Sequence, residues 1–196
     1  MKYIFIIVLL FSSQKMFSQS ATYKLLNKEN GTSSNISVRR TDDQVEVNVL
    51  ANWNNKAGTY GQFTGKGILT ANKTTIKAEK KSLVCKVSLT FLKDSLEASF
   101  QDCENYQLTD RFNGIYAKIA DNVTGEYIVS TDICYFYSKP DDKSRKKGFA
   151  NTPEVINIEE IFEGDWGFAT LMSNGKQLFG YVKLSDLKFK RTYLYD

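Results

Sequence analysis

Three cysteines, a few carboxylates and a group of aromatic rings in the last third are the residues here that could do chemistry. Cys85 and Cys103 lie close in sequence and Cys134 stands apart. In an oxidising compartment the first two can join as a disulfide, leaving one thiol over. Cys134 reads either as a small buried hydrophobe or as a reactive thiol. There is no Cys-x-x-Cys pair, and the 196-residue chain contains no His. That excludes His-based triads, Cys–His pairs, His-ligated metals and imidazole switches. Carboxylates such as Asp102, Glu104 and Asp110 remain, but acidic residues in polar segments are ordinarily solvated. The chain therefore reads as a non-enzyme, with no cofactor and no metal.

The aromatic residues point to binding instead. Flat rings offer a large contact area at small rotamer cost, and they stack on sugars or on Pro-rich peptides. The candidates are Tyr135, Tyr137, Trp166 and Tyr181. Each has a rival reading as core, because alternate aromatics on a strand commonly pack inward. On a regular strand Tyr135 and Tyr137 share one face and Phe136 points the other way. Trp166 heads a strand after Gly164-Asp165. Tyr181, between Gly180 and Val182, reads as packing. The ligand contacts expected are thus Tyr135, Tyr137 and Trp166.

Bulk properties limit the partner. The formal charge is a mild +4, and part of it lies in the run Lys143-Ser144-Arg145-Lys146-Lys147, expected in a long polar loop from Asp141 to Lys147. A nucleic-acid binder would carry a stronger clustered excess with aromatics interleaved, so no nucleic-acid partner is expected. Residues 1–18 read as an export signal: Met1-Lys2 is followed by an almost unbroken apolar run from Tyr3 to Phe11 and then by small and polar residues, with cleavage expected near Ser18–Gln19. That run is too short to cross a bilayer as a helix. No later segment is apolar enough to span one, so a periplasmic or secreted protein is expected.

The elements that must hold these residues are strands. Alternation at period two dominates beyond the signal. Val45, Val47, Val49, Ala51 and Trp53 fall on one face, and Gln62 to Thr70 should pair with Thr74 to Ala78. Cys85, Val87, Leu89 and Phe91 alternate up to a tip at Lys93-Asp94, and Leu96, Ala98 and Phe100 return. Facing Phe91 with Leu96 places Leu89 opposite Ala98 and Val87 opposite Phe100, which keeps one face apolar. The same register sets Cys85 opposite Asp102. A bulge at Gln101-Asp102 would bring Cys103 into bonding range. A strand through Phe112, Gly114 and Tyr116 closes this region, and the polar stretch Ile119 to Gly125 reads as a boundary.

Two resemblances follow. The stretch Tyr135-Phe136-Tyr137-Ser138-Lys139-Pro140, then Gly164-Asp165-Trp166-Gly167-Phe168, then Gly180-Tyr181-Val182-Lys183-Leu184-Ser185-Asp186-Leu187 resembles a bacterial SH3-type domain. That family implies a five-stranded barrel binding a peptide, a cell-wall fragment or a neighbouring envelope protein. The chain departs from it at Tyr137, where the family often has Arg, and at Tyr181, where it has Trp. The preceding order of Trp53, Cys85, Cys103, Phe112-Asn113-Gly114 and Tyr116 resembles the membrane-bound C-type lysozyme inhibitors, which implies inhibition of a lysozyme or similar host enzyme as the alternative function. It lacks the Gly-rich loop expected after the second Cys. The fold expected is all-β: an N-terminal antiparallel β-barrel or sandwich with one disulfide over residues 19–120, and an SH3-like β-barrel over 121–196.

Overall fold

The computed structural model describes residues 20–26, 31–78, 84–173 and 175–192. The export signal expected over residues 1–18, with its cleavage point, lies outside them. No helix among the described residues is long and apolar enough to cross a membrane.

The fold is all-β. Eight antiparallel strands form a closed barrel in chain order: β1 (Ala21–Leu25), β2 (Ser33–Thr41), β3 (Gln44–Asn52), β4 (Tyr60–Ile68), β5 (Lys73–Ala78), β6 (Lys86–Phe91), β7 (Ser95–Gln101) and β8 (Gly114–Ala120). The barrel closes where β1 pairs with β8, Leu25 standing opposite Tyr116. Eight strands leave an interior that side chains can just fill. Here Tyr23, Ile36, Val49, Phe63, Leu89 and Tyr116 are among those that fill it.

Strict up-and-down order puts the β3–β4, β5–β6 and β7–β8 connections at one end of the barrel. Trp53, Cys85 and the segment from Cys103 to Asn113 lie in these three connections, so the end is built from all of them. Cys85 and Cys103 are joined, with Cα atoms 4.4 Å apart. The hairpin register is Phe91↔Leu96, Leu89↔Ala98 and Val87↔Phe100. The work expected of a bulge falls to Asp102, which takes a left-handed conformation (φ 57°) and swings Cys103 across to Cys85. Short 3-10 turns at Glu104–Tyr106 and Asp110–Phe112 then fold back over the opening. Leu108 and Phe112 are fully buried there. Trp53 meets Phe112 edge-on at 5.1 Å and donates its indole N–H to the Gln107 carbonyl at 2.8 Å. Phe112 was expected on the closing strand; it caps the barrel one turn before β8 begins.

The second sheet has seven strands: β9 (Gly125–Val129), β10 (Ile133–Tyr137), β11 (Arg145–Asn151), β12 (Val155–Phe162), β13 (Trp166–Ser173), β14 (Lys176–Lys183) and β15 (Leu187–Arg191). Their order is β11-β10-β14-β13-β12-β9-β15, two more strands than the sequence led us to expect. Its core gathers Tyr127, Phe136, Ile156, Ile158, Ile161 and Val182. The basic run also sits differently from expectation. A 3-10 turn at Asp142–Ser144 ends the loop, and Arg145-Lys146-Lys147 is the first half of strand β11. Cys134 is buried in this core, and burial, with Asp186 nearby, pushes its thiol up to about 12. It acts as a small hydrophobe, since a thiol so shifted is protonated and unreactive at neutral pH.

A tyrosine pins the chain just before the last barrel strand, and another just before the first strand of the second sheet. The Tyr116 hydroxyl donates to the Phe112 carbonyl at 2.7 Å, and the Tyr127 hydroxyl donates to the Val123 carbonyl at 2.6 Å. Burial raises both phenols, Tyr127 to about 12, so both remain donors across the physiological range. We expect Tyr116→Phe and Tyr127→Phe each to cost about 1 kcal/mol, with the carbonyl left unpaired. Chemical denaturation of the two variants checks this.

The barrel wall packs against the second sheet through polar side chains. Asn35 on β2 donates to Glu160 Oε1 at 3.0 Å, Asn48 on β3 donates to Thr124 at 2.9 Å, and Thr22 on β1 donates to the Asn122 carbonyl at 2.7 Å. Thr192 donates to Glu46 at 2.6 Å, and Arg39 lies over the Phe189 ring at 5.3 Å. The pocket at this seam, lined by Ser37, Glu46, Asn48 and Thr124 among others, encloses about 10 Å³, room for one water and not for an organic ligand.

Glu160 makes the seam pH-dependent. Burial raises its carboxyl above the usual value near 4.5, with Lys24 pulling the other way. A carboxyl whose folded value lies above its unfolded one favours the folded state at low pH, and that contribution is lost as pH rises through the folded value. Ionised Glu160 is thus a cost at neutral pH. Glu160→Gln keeps the acceptor for Asn35 and should raise Tm at neutral pH, with the gain vanishing below the usual glutamate value. Thermal melts at the two pH values test it.

Candidate functional site

The candidate site is the outer face of strands β10, β14, β13 and β12. Alternation builds it. On β10, Cys134 and Phe136 point into the core, so Tyr135 and Tyr137 point out. On β13, Gly167, Ala169 and Leu171 are buried, so Trp166 and Phe168 point out. On β14, Gly180 and Val182 are buried and Tyr181 and Lys183 face the other side. Cross-strand pairing brings these together: Tyr137 stands opposite Tyr181, Tyr181 opposite Phe168, Trp166 opposite both Lys183 and Phe162.

The rings touch. Tyr137 and Trp166 meet edge-on at 5.1 Å, and Tyr181 meets Phe162 at 5.2 Å and Phe168 at 5.5 Å. Such contacts add about 0.5–1.5 kcal/mol each beyond the area they bury. The two aromatic strands come this close because of Gly180, which takes φ +153°; a Cβ there would sit 2.6 Å from the Tyr137 carbonyl oxygen.

Cations lie on this surface. Arg145 is 4.5 Å from the Tyr135 ring centroid and Lys183 is 5.6 Å from that of Trp166. Lys183 also pairs with Asp142 at 2.7 Å, and this hydrogen bond raises its ammonium above the ordinary lysine value. Burial raises the Tyr137 phenol, with Lys183 opposing the shift, so Tyr137 is neutral and able to donate. The ring faces of Tyr135 and Trp166 thus each carry a cation. A sugar stacking on them would have to displace it, whereas a ligand bearing carboxylates would meet Arg145 directly and would compete with Asp142 for Lys183.

The loops around the face are tied down. Asp165 accepts from the Ser185 backbone N–H at 2.9 Å and from the Ser185 hydroxyl, and its carbonyl accepts from Leu184 N–H at 3.0 Å, fixing the turn that presents Trp166. Ser144 Oγ donates toward the Lys139 and Asp141 carbonyls at 2.8 and 2.7 Å, and accepts from Lys139 N–H at 3.1 Å. That closes the loop between β10 and β11 on itself.

Of the three expected contact residues, Tyr135 and Trp166 are half-buried, and Tyr137 is only 8% exposed because Trp166 packs on it. Tyr137 supports the face more than it covers it. Tyr181, read as packing, is wedged between Phe162 and Phe168 and belongs to the same ring cluster. Phe162, Phe168, Arg145 and Lys183 were missed. The signal for two of them, Phe168 and Lys183, is present as period-two alternation, in Trp166-x-Phe168 and Tyr181-x-Lys183. No family model, curated protein or solved structure matches the chain.

Proposed function

We propose that this chain is an exported, non-catalytic binding protein of the bacterial envelope, whose C-terminal sheet engages an anionic peptide, cell-wall fragment or envelope protein. One observation carries the reading: a ring cluster centred on Trp166, Tyr137 and Tyr181, with Arg145 and Lys183 lying over rings on the same face. Rings fixed by their neighbours lose little entropy on binding, and cations held against them supply charge complementarity. Export is supported by the signal-like residues 1–18 and by the Cys85–Cys103 bridge, because disulfides persist in oxidising compartments. The absence of His removes the commonest catalytic base.

The chain has two Trp, Trp53 and Trp166, so Trp53→Phe leaves Trp166 as the sole indole reporter. Titrating that mature variant with peptidoglycan fragments and with acidic peptides should shift its emission for at least one ligand. Trp166→Ala, followed by calorimetry, should weaken that ligand about tenfold or more, as loss of a central ring does. Unchanged emission with both ligand classes would count against the reading.

A further inference from the structure

The closed barrel has no strand edges, so the open edges of this fold belong to the second sheet. Its two outermost strands, β11 and β15, lie in different surroundings. Beside β15, Arg39 lies over Phe189 and Thr192 reaches Glu46, so the barrel wall covers that end. Strand β11 stands at the other end and, among the described residues, is paired only on its β10 side, through Ile133↔Asn151, Cys134↔Ala150 and Tyr135↔Phe149. An antiparallel strand paired on one side presents a row of unpaired N–H and C=O groups on the other, which is a template for an added strand.

The side chains of β11 say what that strand would be. Arg145, Lys147 and Phe149 alternate outward and are exposed, whereas Lys146 turns inward. Lys146 is already engaged: it donates to the Phe179 carbonyl at 2.9 Å and lies 4.7 Å from the Phe179 ring. Among the described residues, neither Arg145 nor Lys147 has a carboxylate partner. Phe149 is 46% exposed and meets Tyr135 edge-on at 6.4 Å. Two copies joined edge to edge at β11 would set these cations against one another, and like charges across a strand pair are destabilising. An extended segment with carboxylates at alternate positions would meet two unpaired cations, and an apolar residue beside them would meet Phe149.

We propose that the free edge of β11 accepts an acidic extended peptide as an added antiparallel or parallel strand, its carboxylates on Arg145 and Lys147 and an apolar side chain on Phe149. The proposal rests on the binding-module reading and names its partner class: main-chain hydrogen bonds would give affinity, and alternate side chains the selectivity.

The probe is a synthetic peptide alternating Glu with Val and carrying one Tyr, added to the mature chain while amide exchange and the NMR signals of Tyr135 and Trp166 are followed. Expected are slowed exchange of alternate β11 amides and binding lost about tenfold or more in Arg145→Glu/Lys147→Glu. Backbone N-methylation of the peptide, which leaves its charges in place and the protein untouched, should abolish binding. Binding of the methylated peptide with equal strength, or binding with β11 amides unprotected, would overturn the strand-addition proposal. If peptidoglycan fragments move Trp166 while the acidic peptide does nothing, the aromatic-face reading stands and this proposal falls. Protection of β11 with no change at Tyr135 or Trp166 for any ligand would uphold the edge and sink the face. Self-association that protects β11 without added peptide would also overturn it.

Discussion

Replacing Cys85 and Cys103 together by Ser is expected to cost the barrel about 3 kcal/mol. The bridge closes a loop with a sequence separation of 18, and a chain-entropy treatment gives this magnitude for a loop of that size. For a domain of roughly 100 residues it corresponds to a fall in Tm of about 10–20 °C. The effect is large because of what the bridge fastens. It ties the β5–β6 connection to the segment that lays Leu108 and Phe112 over the barrel end, and both side chains are fully buried. Thermal melts with and without reductant measure it, and a change under about 3 °C would contradict it. The second sheet should keep its ring cluster in the same variant, because among the described residues its ring contacts are all within that sheet.

The other large effect is expected at Phe136→Ala. Phe136 is 1% exposed and sits inward on β10 between the two outward tyrosines. Emptying a buried Phe site costs about 3–5 kcal/mol, a large part of the stability of a small domain. Tyr135→Ala, one residue away and half-exposed, should cost well under half of that and leave the sheet folded. Denaturation monitored at Trp166 separates the two, since Trp166 packs on neighbouring Tyr137. Equal costs at the two positions would mean that β10 does not present alternate faces to core and ligand.

The contrast at β10 was readable in the sequence because apolar and outward residues alternate there without interruption. So were β3 and the cysteine hairpin, in which each inward position is Val, Leu, Ala, Cys or Phe. Strands β1 and β2 were not readable, and the reason lies in the seam between the sheets. In β2, five successive residues from Ser34 to Val38 are buried: Ile36 and Val38 face the barrel, while Asn35 and Ser37 face the seam. Asn35 bonds to Glu160, and Ser37 Oγ lies 2.8 Å from Thr22 Oγ1. A strand buried on both faces with polar residues on one shows neither an apolar run nor a clean alternation. The basic run misled for a related reason. An edge strand needs no apolar residue on its solvent side, so Arg145-Lys146-Lys147 carries the composition of a loop.

The ring cluster was half legible. Tyr135, Tyr137 and Trp166 were identifiable as a set, but sequence alone gives no way to see that Tyr137 would be covered by Trp166. Nor does it show that Arg145 and Lys183 would come to rest over rings. These depend on cross-strand register: Tyr137 with Tyr181 between segments far apart in the chain, Trp166 with Lys183 across the β13–β14 hairpin, and Tyr137 with Arg145 across a register shift between β10 and β11.

We propose that this chain acts by binding through the outer face of its C-terminal sheet. The most direct test is affinity capture from an extracytoplasmic extract with the mature chain, in parallel with a Tyr135→Ala/Trp166→Ala variant shown to be folded. A specific partner held by the parent should be lost from the variant and competed away by an acidic peptide or a peptidoglycan fragment. Equal retention of every captured partner by both chains would contradict it.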